Sequence, residues 1–98
     1  MRLRLTPLAA QDVAEVRQRY AEVSADLGAR FEAALDSTFA RLLAHPLAYP
    51  VVRGKARRAV VGGTFGAYLV FYRLDGDDLV VLALIHGSRH PSSWKPRV

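Results

Sequence analysis

Arg2-Leu3-Arg4-Leu5-Thr6 alternates polar and apolar residues, which predicts a half-exposed strand at the start of the chain. Thr6-Pro7 predicts a helix start, because threonine can cap the first free amides and proline suits the first helical position. Val13, Val16, Tyr20, Val23 and Leu27 then recur at spacings of three and four, with Asp12, Glu15, Arg19, Glu22 and Asp26 expected largely on the opposite side. Gly28 is expected to end this helix in a left-handed conformation. A second helix carries Phe31, Leu35, Phe39, Leu42 and Leu43 on its buried face and stops at Pro46. Together the two predict an antiparallel helical hairpin.

The pattern changes after residue 46. Leu47 to Lys55, with Pro50 and Gly54, reads as a loop returning across the domain. Ala56 to Val61 reads as a strand ended by Gly62-Gly63, Phe65 to Leu74 as a central strand apolar on both faces, and Leu79 to His86 as a buried strand. Asp75-Gly76-Asp77-Asp78 is a tight-turn sequence between the last two. Ser88 to Val98 is polar, holds two prolines and is expected to form an exposed tail. The expected fold is therefore a single α+β domain over residues 1–98: an N-terminal strand, a helical hairpin, then a three-stranded antiparallel meander.

Length and composition narrow the function classes. Ninety-eight residues suffice for one core, and the absence of cysteine excludes disulfides, thiolate zinc sites and a thiol nucleophile. The longest apolar run, Leu79 to Ile85, is far too short to span a membrane, and no apolar signal segment follows Met1. A cytoplasmic protein without a membrane partner is expected. Charge is divided unevenly. Residues 1–50 carry six arginines and six acids, whereas residues 51–98 carry eight basic residues against three acids, so the whole net charge of +5 lies in the second half. An anionic partner follows from that asymmetry.

Two clusters attract attention. Arg53, Lys55, Arg57 and Arg58 place four cations in six residues, suited to clamping phosphates or an acidic peptide, or to protecting an exposed strand edge. His86, Arg89 and His90 follow the most apolar strand, where imidazole and guanidinium side by side could serve acid–base chemistry on a phosphodiester, or merely cap the strand. No carboxylate completes a metal site there, and no cofactor or metal is expected. The aromatics Phe65, Tyr68, Phe71 and Tyr72 are expected mainly in the core. Trp94, alone in a polar segment, either folds back on the core or anchors a partner. The serines lack a nucleophile-elbow setting, and no glycine-rich phosphate loop is present.

The element order, Pro7-Leu8-Ala9, Pro46, the strand Tyr68-Leu69-Val70-Phe71-Tyr72-Arg73-Leu74 and the ending His86-Gly87-Ser88-Arg89-His90-Pro91 together resemble the RelE/ParE toxin superfamily over nearly the whole chain. The resemblance implies the toxin half of a type II toxin–antitoxin pair, held in a hetero-oligomer by an acidic antitoxin. Phe71-Tyr72-Arg73 and His86 match the ParE-like branch, for which DNA gyrase would be the target and no catalysis is expected. Arg53, Lys55, Arg57, Arg58, Arg73, Arg89 and Trp94 are then candidates for contacting antitoxin or target. The alternative is the RelE-like branch, which cleaves mRNA on the ribosome; Lys55, Arg57, Arg58, Arg89, His86 and His90 would be its catalytic candidates. Leu69 stands where that branch places an arginine, and the tail near Trp94-Lys95 lacks its tyrosine. A non-toxic basic module that binds nucleic acid is the third possibility.

Overall fold

The computed structural model describes residues Met1–Val98. Its elements are β1 (Arg2–Leu5), α1 (Pro7–Val23), α2 (Ala25–Ala44), β2 (Val51–Arg53), β3 (Ala56–Val60), β4 (Tyr68–Asp75) and β5 (Asp78–His86). The strands form one sheet in the order β1-β5-β4-β3-β2. The α+β class and the meander β3–β5 agree with the sequence pattern, but the sheet has five strands. Val51–Arg53, expected as loop, forms an antiparallel hairpin with β3. β1 lies parallel to β5, so the sheet is mixed. No helix is long and apolar enough to cross a membrane.

Thr6 caps α1 as its composition demands, its hydroxyl accepting the Ala9 N–H at 3.1 Å. The helix break falls at Ser24 and not at Gly28. Ser24 is extended, donates its N–H to the Tyr20 carbonyl and accepts the Leu27 N–H on its hydroxyl at 3.0 Å, so one residue closes α1 and opens α2. Val23, expected on the buried stripe, stands 75% exposed beside this corner. Gly28 instead lets the helices touch: a Cβ there would lie 3.0 Å from the Ala21 Cβ. The glycine answers a packing need, which local turn chemistry could not reveal.

The helices cover one face of the sheet. Phe31, Leu35, Leu42, Val61, Val70, Tyr72, Leu79 and Val81 are among the buried residues of that core. Tyr20, Phe31, Phe65 and Tyr68 meet there mostly edge to face. Phe65 reaches the core from a single 3₁₀ turn, since β4 begins only at Tyr68. Buried Thr38 ties that segment to α2, donating to the Ala34 carbonyl and accepting the Gly62 N–H at 3.1 Å. The other face, the open face, carries no α-helix. There Ala56, Phe71, Val80, Leu82 and Ala83 form a second, smaller cluster. The β4–β5 register shifts between Phe71 and Tyr72, which pair with Ala83 and Val81 and leave Leu82 extra. That bulge turns both Leu82 and Ala83 toward the open face.

Tyr72 is fully buried and donates its hydroxyl to the Pro46 carbonyl at 2.7 Å. Burial raises its pKa above the ordinary value of 10.0, against a smaller lowering by Arg57. The fold therefore favours the neutral phenol, and this contribution is whole below pH 10 and lost as pH rises through the raised value. Stability measured by denaturant titration is expected to fall above pH 10, and Tyr72→Phe is expected to flatten that fall while losing about 1 kcal/mol at neutral pH. Tyr20, raised by burial and by neighbouring Tyr68, retains part of the slope. An alkaline slope unchanged by Tyr72→Phe would refute the assignment.

Candidate functional site

The expected tail is not free. Its residues turn back in two 3₁₀ turns, Pro91–Ser93 and Lys95–Arg97, and close over the open face. Trp94 stacks on Phe71 with ring centroids 4.6 Å apart and 19° between planes. Ser88 to Ser92 are exposed as expected, but Trp94, Arg97 and Val98 are half-buried. The cause is the apolar patch around Phe71, which a polar-looking segment covers with its few apolar side chains. Of the two options open to Trp94, folding back is the one observed.

The latch for this segment is Asp12. Its carboxylate accepts both ends of the Arg97 guanidinium, at 2.6 and 3.2 Å, and also the Leu84 N–H at 3.0 Å. β1 pairs only with the first half of β5, as far as Val81, so the Leu84 amide stands at an unpaired strand edge. Asp12 supplies what a neighbouring strand would have supplied. The helical period was expected to place it outward, yet it lies three residues after Ala9 and four before Val16, the two buried residues of α1. That shared face was the signal for it.

The candidate cations divide among several places. Arg53, Lys55 and Arg73 line a groove of about 300 Å³ on the open face, floored by Ala56, Leu82 and Val98. Arg58, paired in register with Phe71, belongs to the same face and is exposed. None of these four is in an ion pair, and the groove's one acid, Asp75, faces Arg4 at 3.8 Å. Arg57 points the other way. It pairs in register with Tyr72 and donates to the Tyr49 and Leu47 carbonyls at 2.6 and 3.3 Å, pinning the loop between α2 and β2.

His86 and Arg89 line a different cavity, of about 500 Å³, between α1 and the end of β5. The turn that holds them is pinned by three successive amides. Gly87 N–H donates to Ala67, Ser88 N–H to the His86 Nδ1 at 3.1 Å, and Arg89 N–H to the His86 carbonyl. A Cβ on Gly87 would lie 3.1 Å from the Ala67 carbonyl oxygen, so this close approach needs glycine. His90 repeats the arrangement of His86, its Nδ1 accepting the Ser92 N–H at 3.1 Å. It lies outside the cavity lining. Three or more His, Asp or Glu side chains nowhere come together as a metal-binding group.

This combination of a helical hairpin on a mixed sheet with a basic open face accompanies a family match. The model of the ParE toxin of the type II toxin–antitoxin system, parDE, fits residues 3–91. The chain belongs to the ParE toxin family. No curated protein matches it significantly. As a ParE-family toxin it implies an antitoxin partner in a toxin–antitoxin complex. Within this toxin, the sequence pattern singles out the open-face cations as candidates, whereas Asp12, Arg19 and Arg97 stand out only in the folded chain. Arg19 lines the same cavity as His86 and Arg89 from the helical side, and no ion pair holds it.

Proposed function

We propose that this toxin arrests growth by gripping a protein target in the cytoplasm, DNA gyrase, and has no cleavage chemistry of its own. The dispersal of the cleavage candidates carries this reading. Cutting RNA requires a proton shuttle and charge stabilisation converging on one phosphate. Here Lys55 lines the open-face groove and Arg57 is engaged by two loop carbonyls on the opposite face, so His86 and Arg89, which share the cavity against α1, stand without the basic cluster that the cleaving branch uses. Leu69, on β4, adds an apolar side chain to the open-face cluster where an arginine would be needed.

The antitoxin, in this reading, lays an acidic, apolar-studded segment along the open face. Arg53, Lys55, Arg58 and Arg73 offer uncompensated positive charge there, and the groove floor offers apolar surface beside it. The test is to supply the purified toxin to a gyrase supercoiling reaction and, in parallel, to ribosomes programmed with mRNA. Loss of supercoiling with intact mRNA is expected. Codon-linked mRNA cleavage with unimpaired gyrase would overturn the proposal in favour of the ribonuclease alternative. Steeply salt-dependent binding of free nucleic acid with neither effect would favour a plain basic binding module.

A further inference from the structure

The cavity between α1 and the end of β5 has no part in the proposed grip on the antitoxin or in the candidate groove. At about 500 Å³ it has the size of a small-ligand site. Its polar side chains divide sharply by what they can still do. Asp12 is fully occupied by Arg97 and Leu84, so that pair forms a neutral wall. Arg19 and Arg89 have no acidic partner. The His86 Nδ1 accepts the Ser88 N–H, and an amide can only donate, so the neutral ring must carry its proton on Nε2. Tyr68 packs edge-on against that ring with centroids 5.1 Å apart, fixing its plane. The amides of the His86–Arg89 turn are all consumed internally, so only side chains remain to hold a ligand.

From this arrangement we infer that the cavity binds the phosphate group of a small ligand between Arg19, Arg89 and the Nε2–H of His86. Guanidinium groups and an imidazole N–H are donors without acceptor capacity, which matches a phosphate and rejects a cation. Two guanidinium groups can each meet phosphate oxygens in bidentate fashion, and α1 and the β5 turn hold them on separate rigid elements. One lining residue opposes the anion. Glu15 is exposed, and its carboxylate accepts from the Gln11 side chain at 3.1 Å.

Calorimetric titration of the intact chain with inorganic phosphate and with adenosine 5′-monophosphate tests the inference. Saturable binding of both, through the phosphate group they share, is expected. Arg19→Gln and Arg89→Gln are each expected to weaken binding about tenfold or more. Glu15→Gln is expected to tighten it. Arg30→Gln removes the same charge from α2, outside the cavity lining, and is expected to change the affinity by less than about twofold, since it makes no contact with the ligand. Because Arg19 is an exposed helical residue, its substitution keeps the test valid should Arg89→Gln disturb the turn. Absence of saturable binding at about 10 mM ligand, or an equal loss in Arg30→Gln, overturns the site. Either result leaves the gyrase reading untouched.

Discussion

The Asp12→Ala protein is expected to be about 2–3 kcal/mol less stable than the parent, and Arg97→Ala only about 1 kcal/mol less stable. The difference arises from what each change leaves behind. Without Asp12, the Leu84 N–H at the open stretch of the β5 edge loses its acceptor, and Arg97 loses both its bonds. Without Arg97, the carboxylate keeps the Leu84 amide and regains water. The side chains of Asp12 and Arg97 are 13% and 23% exposed, so the full cost of breaking a deeply buried pair is discounted. For a chain of 98 residues the Asp12→Ala loss corresponds to a melting point lower by roughly 10–20 °C. Thermal and denaturant unfolding of both variants would measure it. Equal losses would mean that the Arg97 contact alone matters and that the Leu84 amide needs no partner.

Replacing Arg53, Lys55 and Arg73 together with glutamine is expected to weaken antitoxin binding by about a hundredfold. Each charge-assisted contact on a half-open groove contributes about 1 kcal/mol, and three of them sum to about two decades in affinity. Stability should hardly change, because none of the three is in an ion pair within the fold. The control is Arg2, Arg17 and Arg30 to glutamine, which removes the same charge from surfaces outside the groove. If both triple variants lose affinity equally, net charge and not the groove governs the association. Binding measured at two salt concentrations would separate the arms further, because the open-face variant should also lose most of the salt dependence.

Some of this was legible in the chain because it is written in local patterns. The period-2 alternation of Arg2–Leu5, the capping pair Thr6-Pro7 and the run Leu79 to His86 each specify an element through residues close in sequence. The basic second half was equally plain, and the structure brings its Arg53, Lys55 and Arg73 together along one groove. Arg57 was grouped with them by sequence proximity, yet alternation along β3 turns it to the opposite face from Arg58. Gly28 was misread because a glycine that permits helix contact and one that ends a helix look alike without the partner helix. The candidate cavity was half visible: His86 and Arg89 are neighbours in sequence, whereas Arg19 comes from α1, 67 and 70 residues earlier.

What the sequence determined by itself was the kind of elements, their order and the side of the chain that carries excess charge. These depend on spacing and on side-chain chemistry within a turn or two. Only the tertiary structure decided that β1 joins β5 in parallel, that Trp94 returns to Phe71, and that Asp12 serves an amide 72 residues away. Those outcomes follow from burying the apolar face around Phe71 and satisfying the free edge of β5. Both needs arise only once the sheet exists, and no local segment contains them.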